Sequence, residues 1–446
     1  MKIKNIFNRV RESLLFLTFA LFILVLGCES LDFSDPNGPK LEDAAIQNLV
    51  TGVEAGMRGS LNFYIFQMSI FGREGYFFEP ADPRFTGELL RGPLDPGGFL
   101  INNPWSARYA VVFNCNVLLE RAPNEAILSA AEKSGVLGFA KTIKAHQLSL
   151  NLNQTFNNGI QLMQSDDPAA PEASRDAAYT ELARLLDEGF ADLQNAGATF
   201  SFQLSAGFSG FNTPTNFAQF NRAVRARVGA HRASLSGSAE EWQNVLNAVA
   251  ASFINPAGDL NRGVYHVYGT GLGDLTNPIF EVPSASFIKY RAHPTLRDEA
   301  EAGDLRFSSK VLDRTGDLDP GFGESNLFSS LAVTVSSSSI APFPVFRNEE
   351  LILLRAEANI GSGNFGSAEG DLNIVRVAAG LAPYSGTDAS NALDRLLHER
   401  RYSLFSEGHR WVDLRRYNRL GQLPIDRAGD QVFMQWPLPV DELPGQ

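Results

Sequence analysis

Helical periodicity over most of the chain beyond Trp105 is the feature that most restricts its fold. From Ala131 to Thr155, the residues Val136, Phe139, Ile143 and Leu148 recur at mixed three- and four-residue spacings, which puts them on one face of a helix. The same reading gives helices over Trp105–Glu120, Ser174–Asn195, Asn216–Leu235 and Glu240–Phe253. It gives further helices over Phe346–Ile360, Ser367–Ala379, Asn391–Phe405 and His409–Tyr417, and an earlier one over Glu42–Gly59. Strand candidates are few and short, such as GVYHVY (263–268) and SLAVTV (330–335). Strands do not alternate with helices, which argues against a doubly wound sheet. The expected class is mostly α, with a few short strands and long irregular loops.

The helices fall into pairs. In IGSGNFGSAEGDLNIV, the residues Gly363, Phe365, Ala368 and Leu372 follow the order of a tetratricopeptide turn. The glycine allows a tight reversal and the alanine lets two backbones approach. Gly237, Trp242 and Val245 repeat the theme loosely. Ordinary helical hairpins are the alternative.

Residues 60–104 and 256–343 are rich in glycine, proline and aromatics, and read as long irregular connections, where binding function concentrates. The first stretch is the preferred ligand site. Tyr64, Tyr76, Phe77 and Phe78 offer flat rings there, and Arg73, Glu79 and Asp82 offer hydrogen-bonding edges. Tyr265, His266 and Tyr268 form a second candidate group. The competing reading of each ring is a core plug or a surface facing a protein partner. The chain has 33 phenylalanines but only four tryptophans and ten tyrosines. Sugar platforms favour the latter two, so most phenylalanines are assigned to the core.

At the N-terminus, Lys2, Lys4, Arg9 and Arg11 precede an apolar run from Leu14 to Leu26 that is short for a membrane span. This reads as a signal peptide, residues 1–27. The run ends in LVLGCES, which resembles a bacterial lipobox with Cys28 as the acylated residue. Residues 28–41 then form an extended tether. The remaining cysteine, Cys115, lies in an apolar helical stretch and reads as a small buried hydrophobe. Net charge is −12, and loss of residues 1–27 leaves 34 basic against 49 acidic residues. Such a balance disfavours nucleic acid as a partner.

A search for chemistry finds little. The six histidines include no pair at zinc-protease spacing, and there are no paired cysteine ligands. Glu407, His409 and Asp413 could in principle hold a metal, but Arg400, Arg401, Arg410, Arg415 and Arg416 surround them, so no metal site is expected. GTGLGD (269–274) lacks the third glycine of a dinucleotide fingerprint, and no G-x-S-x-G elbow occurs. A glycosidase needs only two carboxylates, and no pair stands out. No catalytic residue and no cofactor are therefore assigned.

The stretch ERRYSLFSEGHRWVDLRR (399–416) reads as a structural joint between two helices. Leu396, Leu397, Tyr402, Leu404 and Phe405 supply an apolar face, Gly408 a positive-φ turn, and Trp411, Leu414 and Tyr417 continue the face. Arginines and acids on neighbouring turns can form fork-like pairs that set the interhelical angle.

This stretch resembles the signature E-R-x-x-E-L-x-x-E-G-x-R-x-x-D-L-R-R of the SusD/RagB lipoproteins. Glu399, Arg400, Leu404, Glu407, Gly408, Arg410, Asp413, Leu414, Arg415 and Arg416 match it, and Ser403 stands where an acid is usual. EELILLRAEANI (349–360), LNIVRVAAGL (372–381) and WPLPVDEL (436–443) resemble further blocks of that family, as do Trp105, Tyr109 and Asn116 more loosely. The resemblance implies a SusD-like domain over 28–446. Its parts are the tether, helices with inserted binding loops (42–343) and a C-terminal signature region (344–446). It implies tetratricopeptide-like helix pairs and a lipid-anchored protein on the outer face of an outer membrane. It also implies a glycan or peptide ligand, a SusC-like TonB-dependent barrel as partner, and no enzymatic activity. Two other classes stay open: a surface-anchored glycoside hydrolase, and a tetratricopeptide scaffold that binds only proteins.

Overall fold

The computed structural model describes residues 44–162, 173–321 and 326–440. The expected signal peptide, Cys28, the tether and residues 441–443 of the last motif lie outside these.

The helices are α1 (Ile46–Gly56), α2 (Leu61–Phe71), α3 (Glu88–Arg91), α4 (Phe99–Arg121), α5 (Ala130–Thr155), α6 (Arg175–Gln194) and α7 (Pro214–Ser236). They continue with α8 (Ala239–Ala250), α9 (Pro294–Asp298), α10 (Leu305–Lys310), α11 (Asn348–Gly361), α12 (Phe365–Ala378), α13 (Ala392–Ser403) and α14 (Arg410–Arg416). Serine or threonine side chains start four of the long ones. Ser129, Ser174, Thr213 and Ser238 accept from the N–H groups of Glu132, Ala177, Asn216 and Glu241. Each satisfies a donor that the first helical turn leaves open.

Packing follows chain order. α4 lies against α5, α5 against α6, α6 against α7 and α7 against α8; α8 then meets α11, and α11 meets α12 and α13. Two glycines make close approach possible. A Cβ on Gly138 would sit 2.5 Å from Leu193, where α5 crosses α6. One on Gly361 would sit 2.2 Å from the Trp242 ring, where α11 meets α8. The turn at Gly363 has φ +75°, and Ala368 and Leu372 are fully buried, as the tetratricopeptide spacing requires. No helix among the described residues is long and apolar enough to cross a membrane.

The short strands are β1 (Gly75–Phe77), β2 (Gly263–His266), β3 (Tyr290–Ala292), β4 (Val311–Asp313), β5 (Leu331–Val333) and β6 (Phe343–Arg347). They make an antiparallel sheet in the order β1-β3-β5-β4 and a separate β2-β6 pair. Phe346, expected in a helix, pairs with Val264 in β6 instead.

The largest departure from expectation is residues 61–71. The sequence suggests a loop there, and the structure has helix α2, in which every residue except Asn62 and Phe63 is buried. A helix covered on all sides has apolar residues all round and no stripe, so periodicity cannot reveal it. α2, β1 and β3 form an aromatic core with Trp411 and Trp436. Phe71 lies 4.8 Å from the Trp411 ring and 5.5 Å from that of Trp436.

Candidate functional site

The structure splits the residues expected to bind ligand. Tyr64, Arg73, Tyr76 and Phe78 are interior, at 3 %, 1 %, 3 % and 0 % exposure, which corrects their assignment as ligand contacts. Asn153 donates to the Tyr64 hydroxyl at 3.1 Å. Arg73 donates to the carbonyls of Ile70 and Gln431, both at 2.8 Å, and so ties α2 to the C-terminal segment. Tyr76 packs on the His293 ring at 5.1 Å, and Arg291 lies 5.0 Å over Phe78. Tyr64 lies in α2 and Tyr76 in β1, with Arg73 in the turn between them and Phe78 just beyond β1.

Phe77, Glu79 and Asp82 do come together, around a cleft of about 460 Å³. Phe66 and Phe85 form its buried floor, and the half-buried Phe63, Phe77 and Phe99 form its walls. The rings hold one another: Phe66 stacks on Phe77 at 4.2 Å, Phe77 meets Phe85 at 4.8 Å, and Phe63 meets Phe99 at 5.5 Å. Polar groups occupy the rim. Lys289 pairs with Glu79 at 2.6 Å, and this hydrogen bond holds the Glu79 carboxyl below its ordinary range. Arg84 grips Asp82 with two N–H groups at 2.9 and 2.6 Å, which likewise lowers Asp82, and lies 4.3 Å over the Phe99 ring. Glu281 accepts from the backbone N–H groups of Lys289 and Tyr290 at 3.0 and 2.7 Å.

Reading the sequence missed Glu281 and Lys289. They reach the cleft through sheet register: Phe77 faces Tyr290, and the Phe78 N–H donates to the Lys289 carbonyl at 2.7 Å. No local pattern around 281–289 signals that pairing. Phe63, Phe66, Phe85 and Phe99 lie in the expected stretch, but a general assignment of phenylalanine to the core hides them.

The second candidate group is also divided. Tyr265 and His266 border a smaller pocket of about 100 Å³ with Glu54, Arg58 and Ser205. Burial, then Arg108 and Arg58, push His266 down to about 3, so its ring is neutral. Tyr268 packs on the aromatic core. None of the three lines the phenylalanine cleft.

The charged residues of the signature, with Gly408, lie in or beside a buried charge cluster. Asp413 accepts from Arg400 at 2.7 Å and from Arg416 at 2.9 Å. Glu357 pairs with Arg416 at 2.9 Å and accepts from the Tyr417 hydroxyl at 2.7 Å. Burial opposes the Asp413 charge, but Arg400 and Arg416 outweigh it and hold the carboxyl well below the usual range. Glu407 and Glu349 share Arg347, each at 2.5 Å. Glu399 takes Arg306 at 2.5 Å and Arg376 at 3.0 Å. Arg415 donates to the carbonyls of Met434 and Asn153 at 3.0 and 2.8 Å, with the Phe156 and Trp411 rings 4.1 and 4.4 Å away. Arg410 lies near Glu74, and burial lowers it to about 10. Gly408 has φ +84°, with the Tyr64 ring 3.0 Å from where a Cβ would stand. These contacts join α11, α13 and α14.

One group among the described residues has the spacing for a metal: Glu301, His398 and Glu399. Arg376 already takes both Glu301 oxygens at 2.5 and 2.6 Å as well as Glu399, so a cation there would face guanidinium groups. The site does not fit a metal.

Comparison with known proteins now defines the class. Residues 328–436 match the family model described as the SusD family. The SusD-like protein P38 of Formosa agariphila is 21% identical over 411 residues, 79% of this chain and 80% of its own length. A SusD superfamily protein from Parabacteroides distasonis shares the fold at TM-score 0.66 and 17% identity, over 89% of this chain and 96% of the other. Surface glycan-binding protein A from Bacteroides thetaiotaomicron, in complex with laminarihexaose, gives 0.62 at 13% identity, over 84% and 90%. The mostly helical fold is thus that of the SusD superfamily. The signature stretch 399–416 lies within the residues that match the SusD family model.

Proposed function

We propose that this protein is a nutrient-binding protein without catalytic activity, anchored through Cys28 to the outer face of an outer membrane. It captures a glycan or peptide in the phenylalanine cleft and hands it to a SusC-like TonB-dependent barrel. The match of residues 328–436 to the SusD family model carries the reading, together with a protein of the same fold that is a glycan-binding protein with an oligosaccharide bound. The cleft supports it: its volume lies in the range of about 300–1,000 Å³ usual for ligand sites, and it is apolar with a few convergent polar groups. Its carboxylates Glu79 and Asp82 are committed to Lys289 and Arg84, which suits recognition better than proton transfer.

The test is calorimetric titration of the purified protein with soluble glycans and short peptides, with product analysis of each mixture. Saturable binding without products is expected. Cleavage of a bound glycan identifies a hydrolase, and binding of the barrel with no small ligand identifies a scaffold. Cys28→Ser is expected to release the protein from the membrane fraction, because two or more acyl chains at about 0.8 kcal/mol per buried CH₂ are what hold such a protein there. Retention of that variant refutes the anchor.

A further inference from the structure

The cleft's chemistry narrows its ligand, granted the reading above that it is the ligand site. We infer that it selects a peptide, seating a bulky apolar side chain on the phenylalanine floor and a positively charged group of the same peptide against Glu281.

Three observations lead there. First, the interior of the cleft consists of five phenylalanines and offers no hydroxyl, amide or indole N–H. A sugar ring sunk among them would leave hydroxyls without partners, and each one so buried carries its full desolvation cost. An aromatic or branched aliphatic side chain has no such loss, and edge-to-face contact with the Phe63 and Phe77 rings adds to its burial. Second, the rim can hold a peptide backbone. Lys289 uses Nζ for Glu79 alone and is 40 % exposed, so it keeps N–H donors for a peptide carbonyl. Asn62 on the same rim has both a donor and an acceptor. Third, no basic side chain among the described residues lies within ion-pair distance of Glu281: Lys289 and Arg84 are engaged by Glu79 and Asp82, and the buried Arg291 guanidinium acts on it only at longer range. Its two backbone donors fix it in place without cancelling its charge. An N-terminal ammonium or a neighbouring basic side chain of the ligand complements it.

The test titrates the whole folded protein with four probes: the tripeptide amide Phe-Leu-Ala with a free N-terminus, its N-acetylated form, trialanine amide, and laminarihexaose. The free tripeptide is expected to bind, with trialanine amide at least tenfold weaker and the acetylated form several-fold weaker. Phe77→Ala is expected to weaken the free tripeptide at least fivefold. Glu281→Gln keeps the ring floor and should abolish the difference between free and acetylated peptide. It therefore tests the charge even if Phe77→Ala fails to fold. Persistence of that difference in Glu281→Gln overturns the cation assignment. Binding of laminarihexaose alone, lost in Phe77→Ala, overturns the peptide assignment and leaves the cleft as the ligand site. If folded Phe77→Ala binds every ligand as the natural protein does, the cleft is not the ligand site.

Discussion

Asp413→Asn removes one charge from the centre of the buried cluster and almost no volume. Asp413 is 3 % exposed and bonds to both Arg400 and Arg416, while Glu357 is the other acid within reach of those arginines. The substitution leaves two buried guanidinium groups sharing one carboxylate. Removing one partner from a buried ion pair costs about 3–5 kcal/mol, mostly from the charge left behind. Unfolding entropy of about 2.1 cal/mol/K per residue over roughly 400 folded residues gives about 0.8 kcal/mol/K, so Tm should fall by about 4–6 °C. The effect should also depend on pH in a set direction. A carboxyl whose folded pKa is depressed contributes stability above its unfolded value of about 3.9 and loses it as pH falls through the folded value. The gap between natural protein and variant should therefore be constant from about pH 5 to 8 and close below about pH 4. Calorimetric melting and urea unfolding across that range measure it. A variant that melts within 1 °C of the natural protein at pH 7, or that keeps its stability and loses ligand, refutes the structural role assigned to the cluster.

Other expectations rest on different parts of the molecule. Burial pushes the Glu74 carboxyl up to about 8 despite the nearby Arg410 and Arg401. Such a group weakens the fold as pH rises from about 4.5 through 8, so Glu74→Gln should be more stable than the natural protein at pH 9 and nearly equal at pH 4.5, as read by urea unfolding. Gly361→Ala forces a methyl into the Trp242 ring, and should lower stability by about 1–3 kcal/mol in the same assay. Burial also lowers His146, His231, His266 and His409. Their unfolded pKa of about 6.5 then exceeds the folded one, so stability should fall as pH drops below about 6.5, with proton uptake on unfolding measurable by calorimetry in buffers of different ionisation enthalpy.

The sequence by itself determined the helix pairs. In α8, Trp242, Val245, Ala248 and Val249 are buried while Gln243, Asn247 and Ala250 are exposed, and such a one-sided environment leaves a stripe that periodicity detects. It also carried the turn at Gly363 and the joint at Gly408, because positive φ restricts the residue locally. The resemblance to the SusD family was legible in residues 399–416 for a related reason: Arg400, Asp413 and Arg416 pair within a single joint, so one short stretch holds both charges. Only the tertiary structure decided the rest. α2 is covered on every side, so Tyr64 looked like an exposed ring and is core. The cleft depends on β1 pairing with β3, which sets Phe77 and Glu79 beside Lys289 and Glu281 across some two hundred residues of chain. Contacts between segments so far apart form only when the whole chain closes, and no property of either segment alone records them.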